Sequence, residues 1–406
     1  MLTERVILPW SGTIAWNALE PYPDLLVRRL DSGAWLVGVG SARYHAAPPA
    51  GLWSFGHLAY DLKNCLEPLN SRHPVEDGFP DASWTEARWI VRLQEDRAEL
   101  WVGEQDAAEA RAFLEWLISP TMPPPGAPLT GWVVHTPRER YLAQVERILH
   151  HIQRGDVYEL NYCTGRTTTS LGWDPFAGFA RLMAANPAPH AAFYRRGPLF
   201  ALCASPERYL KAEGDLLTAQ PMKGTRRRNA DPVEDARLAH ELAADPKERS
   251  ENIMAVDVMR NDLSRVAAAR SVHVAELCGV HPYPHVHQMT STISARLKAG
   301  ATTWDAVLAS FPMASMTGAP KLRAMQLIDE IEDLRRGLFS GTLGFFDPEG
   351  DADLNVVIRT LTYDATTGRV ALITGSAITA SSVPEQEWEE CELKARSVLN
   401  ALGDAR

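Results

Sequence analysis

Residues 338–378, LFSGTLGFFDPEGDADLNVVIRTLTYDATTGRVALITGSAI, decide the fold class. Three runs rich in strand formers, 338–346, 354–363 and 369–373, follow one another with no helical pattern between them. Strands joined without a crossover helix pair antiparallel. Similar runs recur at 157–164 and 199–204. Strand runs mixed with peripheral helices predict an α+β fold with antiparallel sheet, not a regularly alternating doubly wound one.

The helices announce themselves by their starts. Thr136-Pro137-Arg138-Glu139 reads as a capping box with proline at the first helical position, followed by apolar Tyr141, Val145, Ile148 and Ile152 and a stop at Gly155. Asp231-Pro232-Val233-Glu234 and Asp245-Pro246-Lys247-Glu248 have the same form, and further helices are expected from Thr317-Gly318-Ala319-Pro320 and from Pro384. Residues 1–118 hold eight of the twelve tryptophans and read as short strands, for example 34–39 and 87–93. Five prolines in residues 119–131 forbid helix and ladder alike, so this stretch is a linker between segment 1–118 and region 132–402. We expect it to mark a chain crossing within one body.

Composition narrows the function. The 406 residues are 45% hydrophobic and 23% charged, which suits a globular chain with a large core. A net charge of −10, with no basic run longer than Arg226-Arg227-Arg228, disfavours nucleic-acid partners. Five scattered cysteines, none in a C-x-x-C pair, predict small core residues in a reducing compartment. No apolar run reaches membrane-spanning length and Glu4 and Arg5 interrupt any leader-like start, so a soluble cytoplasmic protein is expected. There is no P-loop, no G-x-G-x-x-G after a strand, no G-x-S-x-G and no H-E-x-x-H.

What remains is a set of polar residues in apolar surroundings. Residues 251–260 are apolar on nearly all sides, so Glu251 and Asp257 are expected to be buried, paired with arginine or bound to a cation. Glu387, Glu390 and Lys394 form one stripe of the last helix, which suits either a surface ion pair or, with two glutamates a turn apart, a hard divalent cation. Lys223, alone, reads as a solvated charge. Thr374-Gly375-Ser376-Ala377-Ile378 reads as a small-residue loop, a plain turn or one whose amides approach an anion.

In order along the chain, these residues resemble the chorismate-utilising enzymes. The resemblance spans about Gly131 to Leu402 and rests on Ser205-Pro206-Glu207-Arg208, Pro221-Met222-Lys223-Gly224-Thr225, Glu251-Asn252-Ile253-Met254, Met259-Arg260-Asn261-Asp262-Leu263, Phe311-Pro312, Thr317-Gly318-Ala319-Pro320-Lys321, Ile358-Arg359-Thr360 and Glu387-Trp388-Glu389-Glu390. It implies two large antiparallel β-sheets packed as a sandwich with helices outside, and Mg²⁺-dependent conversion of chorismate. By the same resemblance, Glu251 and Glu390, with Glu387 close by, hold the metal. Arg359, the amides of Gly375, Ser376 and Ala377, and Lys394 hold a carboxylate, Thr317 and Gly318 add substrate contacts, and Glu207 is the general acid at the C4 hydroxyl.

Three positions sort the family's branches. The water-activating lysine of isochorismate and salicylate synthases is replaced by Glu159, and the histidine of anthranilate synthases by Gln288, with His287 turned to the other strand face. Lys223 stands where those enzymes have alanine and marks the aminodeoxychorismate synthase branch. There it implies a neutral amine that attacks ring C2, its proton lost through desolvation and the nearby metal. Anthranilate synthase and a non-catalytic chorismate-binding paralogue are the alternatives. Ala377 replaces a frequent glycine and Phe345 a frequent tyrosine. With no glutaminase motif in the chain, ammonia is expected from a separate glutamine amidotransferase subunit.

Overall fold

Side chains in the turns set the strand ends. The Asp347 carboxylate accepts from the amides of Glu349 and Asp351, and Asp364 accepts from Thr366. The hairpins that result, Thr342–Phe346 with Ala352–Asn355 and Thr360–Asp364 with Arg369–Thr379, are antiparallel. The expected strand over 354–363 is therefore two strands. Between them Arg359 takes φ 50°, a left-handed conformation that breaks the run.

The computed structural model describes residue 2 and residues 4–120, 126–283 and 286–403. Residues 121–125 of the proline-rich stretch thus lie outside the described residues. One limb of sheet runs Glu4–Pro9, Arg97–Val102, Ala82–Gln94, Trp35–His45, Asp24–Arg29, Ala192–Arg196, Leu199–Cys203, Thr360–Asp364, Arg369–Thr379, Glu159–Thr169. A second limb leaves the long strand Ala82–Gln94 through Ser54–Leu58, Thr342–Phe346, Ala352–Asn355, Arg208–Glu213, Leu216–Gln220 and Val286–Arg296, which also pairs with Met222–Arg227 and His273–Pro282. All these pairs are antiparallel. The two expected sheets are thus two limbs of one hydrogen-bonded sheet, bent back at Ala82–Gln94.

The limbs face each other across Leu26, Phe55, Tyr194, Leu199, Leu343 and Val357, all buried, with His57 Nδ1 3.0 Å from the Tyr194 hydroxyl. Helices Ala107–Leu117, Pro175–Ala185 and Pro384–Ala401 cover the outside of the first limb through Phe113, Phe179 and Leu399. Segment 1–118 supplies strands to both limbs.

Local expectations fared unevenly. Asp231 caps its helix through the Val233 amide, and Asp245 does so through Lys247 and Glu248. Thr136 does not cap. Its hydroxyl donates to Asp333 at 3.2 Å, and the helix Arg138–Gln153 starts without a side-chain cap. Helix Pro246–Ser264 buries one face only, so Asp257 is exposed and pairs with Arg260 at 2.8 Å instead of binding a cation. The helix expected from Thr317 starts at Lys321, because Gly318–Ala319 pairs as a short strand with the start of Glu159–Thr169. Four cysteines are buried and Cys65 is exposed.

A buried ion network ties the limbs together. Asp353 lies 3.1 Å from both Arg28 and Arg208, which come from different limbs. Burial opposes its charge, but the two guanidinium groups outweigh that and hold its pKa below the ordinary carboxylate value. Asp353→Ala leaves two arginines buried without their shared partner. We expect a loss of about 3–5 kcal/mol in denaturant unfolding followed by circular dichroism, and a loss under about 1 kcal/mol would show that the network is not the clamp between the limbs.

Candidate active site

An irregular strand presents Lys223. Between Lys223 and Thr225 the ladder to Val286–Arg296 shifts register, and Gly224 takes φ 75°. That frees the lysine from a regular sheet face and turns its ammonium toward helix Pro246–Ser264. The Asp245 cap fixes the first turn of this helix, putting Lys247 and Glu251 on one face at i, i+4. The final helix, Pro384–Ala401, presents Glu387, Glu390 and Lys394 from another side, and Glu159 opens the strand Glu159–Thr169.

These side chains alternate in charge. Lys223 Nζ is 2.8 Å from Glu159 Oε1 and 3.9 Å from Glu251 Oε2. Lys247 Nζ is 3.8 Å from Glu251 Oε1 and 2.7 Å from Glu387 Oε1. Lys394 Nζ is 2.7 Å from Glu390 Oε1 and donates to the Gly375 carbonyl at 2.7 Å. The Lys223 side chain is 9% exposed, so it is not the solvated charge that its type suggests.

Burial and neighbours shift the titrations apart. Burial pushes Glu207 up to about 7, although Ser315, Lys223 and Lys394 pull the other way. Burial, with Glu159 and Glu248 adding to it, pushes Glu251 up to about 8 against the pull of Lys223 and Lys247. Against burial, Lys394 holds Glu390 below its ordinary value. Lys223 departs from expectation: burial lowers it, but Glu159 and Glu251 outweigh burial and hold it above the ordinary lysine value. In this state it is a paired ammonium.

The expected anion loop is a strand. Residues 374–378 lie inside Arg369–Thr379, paired throughout with Glu159–Thr169. On its other edge only 369–372 are paired, with Leu361–Asp364. Lys394 reaches the Gly375 carbonyl on that open edge, and strand alternation puts the Gly375 and Ala377 amides on the same side. By the same alternation the Ser376 amide points to the edge paired with Glu159–Thr169, and its hydroxyl is 3.0 Å from Tyr141 Oη. A Cβ at Gly375 would lie 2.6 Å from Cys163 Sγ and 2.8 Å from Asn161 Oδ1, so the strand needs glycine there.

Arg359 has no carboxylate partner among the described residues, and burial lowers its pKa. An unpaired, desolvated guanidinium suits an anionic ligand. Thr317 and Gly318 also have work in the local fold. The Thr317 hydroxyl donates to the Met313 carbonyl, and a Cβ at Gly318 would sit 2.1 Å from the Glu159 carbonyl. His287 is taken by Asp235 at 2.9 Å, and the Phe345 ring lies tilted against Trp53, 5.8 Å between centroids. Sequence reasoning missed the pairing role of Glu159, and it missed Lys247 and Ser315. The i, i+4 spacing of Lys247 and Glu251 was the available signal for the second.

Among the described residues no three acid, histidine or cysteine side chains converge as a metal cluster. The donor set nevertheless suits a hard cation: it is all carboxylate, Glu387 Oε2 is buried without a hydrogen-bond partner among the described residues, and Glu251 is held well above its ordinary value.

The chain matches the family model described as chorismate binding enzyme over residues 37–400. This chain belongs to that family. It is 36% identical to anthranilate synthase component 1 of Thermus thermophilus, over 89% of this chain and 79% of the relative. It is 38% identical to aminodeoxychorismate synthase component 1 of Klebsiella aerogenes, over 86% and 77%. Anthranilate synthase component I from Streptococcus pneumoniae shares the fold with a TM-score of 0.77 at 24% identity, covering 98% of this chain and 93% of that one. The isochorismate synthase MenF from Escherichia coli does so with a TM-score of 0.78 at 20% identity, covering 98% and 94%. The family fold, α+β with helices over a large antiparallel sheet, is the one expected, and chorismate is the family's ligand. Among the described residues no helix is long and apolar enough to cross a membrane.

The shift of Glu207 has a stability consequence. Below pH 4.5 its carboxyl is protonated in both folded and unfolded chains and costs nothing. Between 4.5 and about 7 only the folded chain keeps the proton, so stability falls with rising pH until the full penalty is reached. Glu207→Gln removes it. We expect the variant to gain on the order of 3 kcal/mol over the parent at pH 8.5 and almost nothing at pH 4. Denaturant titrations at the two pH values measure this, and equal differences at both would contradict the shift.

Proposed function

We propose that this family member carries out the aminodeoxychorismate synthase reaction, converting chorismate and ammonia to 4-amino-4-deoxychorismate. The observation that carries the proposal is Lys223, a buried amine whose charge is felt by Glu207, the carboxyl that burial keeps protonated up to about pH 7. Glu207 gives its proton to the departing C4 hydroxyl, which leaves as water while the Lys223 amine attacks ring C2. Ammonia then attacks C4, the lysine amine leaves C2, and the proton shed by the new amine returns to the Glu207 carboxylate. The attack needs neutral Lys223 and protonated Glu207 together, so turnover rises with pH up to about 7 and then levels off, because each further gain in neutral lysine is offset by loss of the Glu207 proton.

Arg359 and the Gly375 and Ala377 amides offer donors to one substrate carboxylate. Glu251, Glu387 and Glu390 would hold Mg²⁺, which would neutralise the other. Ammonia would come from a separate glutamine amidotransferase chain, as the name component 1 of the Klebsiella relative suggests. The anthranilate synthase reaction is the second reading, favoured by the Thermus relative.

Product analysis separates the two. With chorismate, Mg²⁺ and ammonium at alkaline pH we expect 4-amino-4-deoxychorismate without pyruvate, whereas anthranilate with pyruvate would assign the second reading. Glu207→Gln should lower kcat about 100- to 10,000-fold. Mg²⁺ alone should raise the thermal midpoint of the parent, by about 2.7 kcal/mol of stability at a hundredfold excess over Kd. A Glu251→Gln/Glu387→Gln double variant should not respond, and an equal response would remove the carboxylates from the metal site.

A further inference from the structure

We infer that Glu159 is a positioning residue for Lys223, setting the place from which the lysine amine reacts. The inference rests on the proposed role of Lys223 as nucleophile. A lysine carries its amine on a flexible four-carbon stem, so a productive position has to be imposed by its surroundings. The backbone of Lys223 does not impose it, because the strand is bulged at the next residue and Gly224 lies in the left-handed region. Among the described residues the hydrogen bond of Nζ goes to Glu159 at 2.8 Å, while Glu251 at 3.9 Å lies beyond hydrogen-bond range.

Glu159, by contrast, is one of the most firmly placed residues of the site. Its strand pairs on one side with Arg369–Thr379, where Glu159 is opposite Thr379, and on the other with Gly318–Ala319, where it is opposite Ala319. The Gly318 backbone packs so closely on the Glu159 carbonyl that no side chain fits between them. The carboxylate is 5% exposed, which leaves it little freedom. Position therefore passes from a doubly laddered residue to a lysine on a broken ladder. The strand that fixes Glu159 is also the one that holds Gly375 and Ala377, so nucleophile and anion donors share one frame.

The test uses the full chain and three variants, Glu159→Ala, Glu159→Gln and Glu159→Asp. Intact mass spectrometry follows the substrate adduct on Lys223 with ammonia withheld, and steady-state assays with ammonium give kcat and the KM for chorismate. For Glu159→Ala we expect adduct formation and kcat to fall about 100-fold with KM changed less than about threefold, the signature of a misplaced reacting group. Added formate should restore part of the rate by supplying a carboxylate, and the shortened Glu159→Asp should lie between. Glu159→Gln keeps the shape and guards against a folding failure. It should lose rate while its thermal midpoint stays near the parent's. Adduct formation at the parental rate in Glu159→Ala and Glu159→Gln overturns the inference, as does a loss of stability and KM together without formate rescue. If the parent itself forms no Lys223 adduct, the reading of Lys223 fails first and this inference falls with it.

Discussion

The eleven-residue antiparallel pairing of Glu159–Thr169 with Arg369–Thr379 carries the site. One end of this ladder lies in the body of the first limb, where Leu372 is fully packed beside Leu361. The other end runs past the point where its second neighbour stops, leaving the edge from Ile373 onward with backbone groups that no strand among the described residues takes. Open strand edges are ordinarily hazards in a sheet protein. Here the final helix lies over the edge and Lys394 takes the Gly375 carbonyl, so the exposed groups are those aimed into the charged cluster.

That cluster is held at the expense of stability. Burial, joined at Glu251 by the charges of Glu159 and Glu248, pushes Glu207 and Glu251 above their ordinary values, and their lysine neighbours only partly reverse it. A fold selected for stability alone would place apolar side chains at such positions. The Arg28–Asp353–Arg208 network differs, because there the two arginines overcome burial and hold the acid in its charged form. The comparison separates a clamp, whose acid is held charged by two arginines, from a site, where Glu207 and Glu251 are pushed toward the neutral form. Glu387 Oε2 and the Arg359 guanidinium, both lacking partners among the described residues, belong with the second.

Much of this was legible in the sequence, and the exceptions share a cause. Strand runs without crossover helices were enough for α+β with antiparallel sheet, and motif order was enough for the family. Thr136 and residues 374–378 were misread because composition speaks only to local preference. A capping pattern could not disclose that Asp333 would claim the threonine, nor small residues that a long partner strand would straighten them. Glu159 was visible as a replaced lysine but not as the partner of Lys223. The two are far apart in the chain, and only the pairing of Gly318–Ala319 with Glu159–Thr169 and the bulge at Gly224 bring them to 2.8 Å.

The charge arithmetic of the cluster argues for what it receives. Lys223, Lys247, Lys394 and Arg359 supply four positive charges, and Glu159, Glu387 and Glu390 three negative ones, with Glu207 protonated below about pH 7 and Glu251 below about pH 8. Four less three is one. A dicarboxylate entering alone would turn that surplus of one positive charge into one of negative charge, which a low-dielectric interior resists. On the proposed reading, a divalent cation entering with it, and displacing the proton that the raised pKa retains on Glu251, would bring the sum to zero. On the proposed reading, metal and substrate therefore bind best as a pair. Lys247, whose ammonium bridges Glu251 and Glu387, is the charge that would have to give way to a metal held by those carboxylates.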